Sequence, residues 1–183
     1  MYNRPVHEAG HAVAQIRLFA GEPVSQISIL PRGRALGFTE NQSAPRYTDL
    51  SADRIAKKAQ VFLAGRIAEE LVLGSDCITA GCANDLERAS ALAAQSISRW
   101  GMNSKIGLVS FAGLCSGLNL NTSTGESSSI NEVVLEEVKA WISAQAEAVR
   151  VLLSENRASI DRLVQALMEK ETLYGEDIQR LVG

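Results

Sequence analysis

At 183 residues, 46% of them apolar, the chain is long enough to bury a domain-sized core and too apolar for a disordered segment. A formal charge of −3 without a Lys/Arg cluster argues against a nucleic-acid partner, which asks for a basic stripe, and no run of 18 apolar residues is present for direct membrane insertion. Three cysteines without repeating spacing offer no disulfide framework and no charged-then-apolar leader opens the chain, so an intracellular, cytoplasmic setting is expected.

The opening segment predicts a helix. Pro5 suits a first helical turn, and Val6, Ala9, Val13, Ala14, Ile16 and Leu18 continue the pattern until Gly21, with Pro23 just beyond. On this helix stands His7-Glu8-Ala9-Gly10-His11, which contains both histidines of the chain. At helical spacing His7 and His11 lie one turn apart and offer two imidazoles to one metal ion, while Glu8 is placed to act as general base on a water at that ion. Zinc fits such donors: a borderline-soft ion accepts imidazole and carboxylate, and a catalytic site leaves one position open for water. Gly10 lowers helix propensity by about 1 kcal/mol relative to alanine, which is tolerable where a close neighbour needs the space.

Val24 to Leu30 is apolar and β-branched at intervals and predicts a strand. Pro31-Arg32-Gly33-Arg34 punctuates it before a second candidate strand, Ala35 to Thr39. An exposed edge of this small sheet, beside the metal helix, would pair with an extended peptide; a purely structural hairpin is the other reading. Asn41 to Asp49 is a polar loop. Ser51 caps a helix from Ala52 to Leu73 with the stripe Ile55, Ala59, Phe62, Leu63, Ile67 and Leu71, interrupted by Gly65 and ended by Gly74. Glu69 and Glu70 carry the wrong charge for a helix C-terminus, which points to a specific partner for at least one of them.

A loop with Cys77 and Cys82 leads to a helix from Asp85 to Trp100, so that Asp85 occupies a first turn, where free N–H groups favour a carboxylate. Gly101 closes it, and Ile106 to Phe111 is a third short strand or extended segment. Residues 112–129 are rich in Gly, Ser, Asn and Thr. Helices over Ile130 to Leu153 and Asn156 to Met168 form a helical hairpin, Thr172 to Gly175 breaks it, and Glu176 to Val182 is a short terminal helix. The fold class is therefore mainly α, with a small β-sheet near the site. The expected organisation is a zinc-binding core over 1–112, a flexible loop over 113–129, and a C-terminal helical subdomain over 130–183 packed on the core.

Two histidines rarely suffice for zinc, and with no third histidine the remaining protein ligand must be a carboxylate or a cysteine. A thiolate from Cys77 or Cys82 would add charge and dampen the Lewis acidity of the ion. The residues alone leave Asp85 and the Glu69/Glu70 pair open. The blocks His7-Glu8-Ala9-Gly10-His11-Ala12-Val13, Ile29-Leu30-Pro31-Arg32-Gly33-Arg34-Ala35-Leu36-Gly37, Gly65-Arg66-Ile67-Ala68-Glu69-Glu70-Leu71, Asn84-Asp85-Leu86 and Gly101-Met102-Asn103 resemble the peptidase domain of FtsH-type ATP-dependent zinc metalloproteases. The tail Glu171-Thr172-Leu173-Tyr174-Gly175-Glu176 is similar to the end of that domain, so the resemblance covers nearly the whole chain.

The resemblance implies a Zn2+ ion held by His7, His11 and Asp85, Glu8 as general base, and Glu69 and Glu70 packed close to the metal helix. It also implies endopeptidase action on unfolded or flexible polypeptides, and it raises a homo-hexamer and a separate ATP-driven unfoldase as partners. Two departures stand out. Ile78-Thr79-Ala80-Gly81-Cys82-Ala83 replaces the usual Thr-Thr-Gly-Ala before the Asn-Asp pair, and the Gly-Lys-Ser/Thr phosphate loop of the ATPase is missing. The competing class is a non-catalytic, zinc-stabilised helical interaction or assembly module derived from such a protease.

Overall fold

The structure, a computed structural model, describes residues 2–31, 38–41, 50–111 and 125–183. Helix α1 (Asn3–Leu18) is buried without interruption from Pro5 to Gln15. An unbroken buried run, rather than one apolar stripe, means that neighbours cover this helix on several sides. Helix α2 (Ala52–Leu73) packs along it, and the Ser51 hydroxyl oxygen accepts the Arg54 N–H at 3.2 Å as the expected cap. The two helices approach closely because the facing residues are small. A Cβ on Gly10 would stand 2.5 Å from the Ala68 Cβ and 2.7 Å from the Ala64 carbonyl oxygen. The propensity lost at Gly10 is offset by this contact.

Two short 3-10 turns, Ser75–Cys77 and Ala80–Cys82, lead into helix α3 (Ala83–Ser98). Helix α4 (Gly125–Glu155) starts earlier than the expected Ile130, and α5 (Arg157–Lys170) follows to complete the helical hairpin. Helix α6 (Gly175–Val182) ends the chain. One hydrophobic cluster joins Val6, Ala9 and Val13 of α1, Leu63 and Ile67 of α2, Val149 and Leu153 of α4, and Ile160, Leu163 and Leu167 of α5. The last carbonyls of α6, orphaned by the helix end, are taken up by other elements. Arg17 of α1 donates to Val182 O at 2.9 Å and Gly183 O at 3.0 Å, and Arg162 donates to Leu181 O at 2.8 Å.

The sheet has three antiparallel strands in the order β2-β1-β3: β1 (Val24–Ser28), β2 (Phe38–Asn41) and β3 (Thr172–Tyr174). Ile27, fully buried, pairs with Thr39 on one side and Leu173 on the other. Of the expected strand from Ala35 to Thr39, residues 35–37 lie outside the described residues, as do most of the polar loop after Asn41 and residues 112–124.

The third strand corrects the sequence reading. It is Thr172–Tyr174, expected only to break the helices, while Ile106–Phe111, read as a third short strand or an extended segment, joins no sheet among the described residues. Instead Asn103 closes a turn there: its side-chain oxygen accepts the N–H groups of Lys105 and Ile106, both at 3.0 Å, and Gly107 follows at φ 79°. Once Asn103 and Gly107 have turned the chain, the apolar residues after them pair with no strand among the described residues.

Candidate metal centre

Three elements deliver the site. Helix α1 sets His7 and His11 one turn apart, and their Nε2 atoms stand 3.0 Å from each other. Asp85, in the first turn of α3, brings Oδ2 to 3.3 Å from both nitrogens. Helix α2 supplies the floor. A Cβ on Gly65 would lie 2.6 Å from His11 Nε2 and 2.7 Å from His7 Nε2, so only glycine leaves this space free. The glycine that merely interrupted a stripe in the sequence thus has a steric reason.

The far nitrogens define the tautomers. His11 Nδ1 lies 2.7 Å from the Val61 carbonyl oxygen, and His7 Nδ1 lies 2.8 Å from Glu69 Oε1. Both partners are acceptors, so each Nδ1 carries a proton, and an Nε2 that carries none turns its lone pair inward. Two lone pairs and a carboxylate oxygen then converge with no donor among them, an arrangement that repels itself unless a cation or a proton sits between. Tetrahedral zinc with arms near 2.0–2.1 Å requires ligand atoms about 3.3 Å apart, close to the 3.0 and 3.3 Å spacings here. The donor set fits zinc, and among the described residues His7, His11 and Asp85 are the group able to hold a metal.

The electrostatics agree. Burial opposes a charge on His7, but the hydrogen bonds to Asp85 and Glu69, with the charges of Glu8 and Glu69, outweigh it and push the imidazole up to about 9. Burial likewise disfavours the Asp85 anion, yet the two imidazoles hold this carboxyl well below the usual carboxylate range. The space is built for positive charge.

Glu69 is almost fully buried, 1% exposed. It accepts from His7 Nδ1 and from the Thr79 backbone N–H, each at 2.8 Å, and these contacts lower its pKa against the opposing effect of burial. It therefore faces the side of His7 turned away from the converging atoms. Glu70 pairs with Arg66 at 3.2 Å and with Arg150 of α4 at 3.0 Å. Neither glutamate joins the three-atom group, and neither Cys77 nor Cys82 does. Glu8, 6% exposed, accepts the Thr39 hydroxyl at 2.9 Å on Oε2. Sequence reasoning missed Thr39, Thr79 and the Val61 carbonyl, since nothing in their local patterns marks contacts made across the fold.

A His-Glu-x-x-His helix completed by a carboxylate from a later helix, inside a mainly helical fold with a small sheet, defines a zinc metallopeptidase domain. The model of a family described as Peptidase family M41 matches residues 5–181, and the chain belongs to that family. Its relatives include the "ATP-dependent zinc metalloprotease FtsH" of Thermus thermophilus, 37% identical over 183 residues that cover 96% of this chain and 28% of the relative. The "ATP-dependent zinc metalloprotease FtsH 4" of Sorangium cellulosum is 39% identical over 186 residues, covering 97% of this chain and 28% of the relative. The "ATP-dependent zinc metalloprotease FtsH" of Rickettsia bellii is 31% identical over 179 residues, with 97% of this chain and 28% of the relative covered. The chain thus spans less than a third of the length of these curated relatives. No helix among the described residues is long and apolar enough to cross a membrane.

Proposed function

We propose that the chain is a zinc-dependent endopeptidase that hydrolyses peptide bonds of unfolded or flexible polypeptides, with His7, His11 and Asp85 as metal ligands and Glu8 as general base. The observation that carries this is the convergence of His7 Nε2, His11 Nε2 and Asp85 Oδ2 beside a buried Glu8. Zinc, when bound, supplies the Lewis acidity that polarises the attacking water and the scissile carbonyl. The Glu8 carboxylate accepts the proton of the water and passes it to the leaving amine nitrogen. Val61 and Glu69 hold the imidazoles by their Nδ1–H groups, so that Nε2 stays free for the ligand role.

Substrate recognition follows from the sheet. Strand β2 has β1 on one side and no strand among the described residues on the other, and Thr39 ties it to Glu8. A peptide backbone paired along that edge would lie beside the base, which gives broad specificity because backbone pairing is largely indifferent to side chains. Folded substrates resist, since their strands are already paired. Relatives over this span are named as ATP-dependent proteases, which supports an ATP-driven unfoldase partner, and with it we propose a homo-hexameric ring. A cytoplasmic setting belongs to this reading, resting on three cysteines without repeating spacing. In this reading residues 1–112 act as the peptidase core and residues 130–183 as a helical subdomain supporting it.

Cleavage of unfolded casein by the zinc-loaded chain, abolished in Glu8→Gln with zinc retained, is the test. Full zinc content with no turnover on any flexible substrate would instead make the chain a non-catalytic module.

A further inference from the structure

We propose that Thr39 is a positioning residue for the general base, holding one oxygen of Glu8 so that the other is left to accept the proton of the water. The inference rests on the reading of Glu8 as base and adds the group that aims it. Thr39 Oγ1 lies 2.9 Å from Glu8 Oε2 and 3.4 Å from the Glu8 carbonyl oxygen. One hydroxyl donates one proton, and the shorter contact is to the carboxylate, where a charge-assisted bond is the stronger. Among the described residues no other donor reaches the Glu8 carboxylate, and Oε1 is not a buried orphan. Among the described residues, then, one oxygen is tied and the other has no donor.

The donor is itself stiff. A β-branched side chain on a strand has few rotamers, and Thr39 is paired to Ile27, whose own strand is held by β3 on its far side. Rigidity thus passes from the sheet through one hydroxyl to a side chain that otherwise turns about three bonds. The same residue stands on the edge strand proposed to bind substrate. Peptide pairing on β2 and the aim of the base consequently share a fixed point, and a loss of aim should appear in the chemical step more than in binding.

The variants are Thr39→Val, which keeps shape and β-branching but removes the hydroxyl, and Thr39→Ser, which keeps the hydroxyl. Turnover of a fluorogenic unfolded casein and zinc per chain are measured for both, beside wild type and Glu8→Gln. Thr39→Val is expected to lower kcat roughly 10- to 100-fold, with KM within about threefold, since a misaimed catalytic group loses about that much. Zinc stoichiometry should be unchanged, and Thr39→Ser should return to within about fivefold of wild type.

A readout independent of activity is a double-mutant cycle in unfolding, Thr39→Val against Glu8→Ala with zinc in excess. It should show coupling of about tenfold in the unfolding constant. Unchanged kcat in Thr39→Val, a Thr39→Ser as impaired as Thr39→Val, or strictly additive unfolding effects would each overturn the inference. An inactive Glu8→Gln beside an unimpaired Thr39→Val removes only the positioning role. A Glu8→Gln as active as wild type removes the reading of Glu8 and the inference with it.

Discussion

Gly65→Ala isolates the role of the floor beneath the converging ligand atoms. The added methyl would start 2.6 Å from His11 Nε2 and His7 Cε1, where ordinary carbon contacts begin near 3.4 Å, so something must move by most of an ångström. The imidazoles cannot yield easily, because Val61 and Glu69 hold their far nitrogens. Zinc accepts ligand distances only within about 0.2 Å, and since disturbing the groups that merely orient ligands already costs about 10- to 100-fold in affinity, displacing the ligand atoms themselves should cost about 100-fold or more, about 3 kcal/mol. Helix propensity runs the other way, favouring alanine by about 1 kcal/mol, so circular dichroism of the metal-free variant should show an intact helix. The assay is zinc affinity by competition with a chelating dye, paired with thermal unfolding with and without zinc. The expected result is at least a 100-fold loss of affinity and loss of the zinc-induced rise in Tm. Gly10→Ala is the control: its methyl meets the Ala64 carbonyl at 2.7 Å and Ala68 Cβ at 2.5 Å, so it should destabilise the fold itself. Affinity of Gly65→Ala within threefold of wild type would refute the steric argument.

Asp85→Ala should lose zinc on dialysis far more completely than Glu69→Ala, for which a loss of about 10- to 100-fold in affinity is expected; the reverse order in metal content would make the glutamate the ligand. For the metal-free chain, His7 is raised from 6.5 to about 9, so its contribution, at most about 3 kcal/mol, is fully present below pH 6.5 and lost as pH rises through 9. Asp85 and Glu69 are lowered, so their contributions are present above their ordinary values of 3.8 and 4.5 and lost on acidification below them. Urea unfolding should therefore place maximal metal-free stability between about pH 4.5 and 6.5. Because zinc displaces the proton on His7, its apparent affinity should rise about tenfold per unit toward pH 9, and a flat profile would contradict the assigned proton. Glu171, exposed at φ 58° after α5, should be replaceable by glycine with a gain of about 0.5 to 1 kcal/mol, read as a higher urea midpoint.

The parts of the site that were legible are those fixed by local geometry. Two histidines four residues apart on a helix share a face whatever the rest of the chain does, and Gly10 announced a close neighbour through its propensity loss alone. Glu69 was legible as a conflict: an acidic residue at the wrong end of a helix needs a partner, and the partner is His7. Asp85 was different. Its first-turn position is visible, but its arrival beside His7, far away in sequence, is a tertiary fact that the residues left open against Glu69 and Glu70. Strand β3 was invisible for the same reason. Three residues carry little pattern, and Thr172–Tyr174 becomes a strand only because β1, from the other end of the chain, offers it an edge.

One departure from the family pattern can be followed into the geometry. Ala80-Gly81-Cys82 stands in the loop that presents Asp85, within the stretch that replaces the usual Thr-Thr-Gly-Ala. Yet the loop's tether to the site is the Thr79 backbone N–H, donated at 2.8 Å to the same Glu69 carboxylate that orients His7. A backbone donor is supplied by any residue except proline, and the turn that follows closes on itself, with the Thr79 oxygen accepting from Gly81 N and the Cys82 thiol donating to the Thr79 carbonyl at 3.2 Å. The tether to Glu69 therefore survives a change of side chain at this point of the loop, while the buried Cys82 thiol helps to close the turn into α3. Glu69, by contrast, has no such freedom: one buried carboxylate fixes a ring from α1 and the loop into α3 together, so two of the three converging groups share a single anchor on α2.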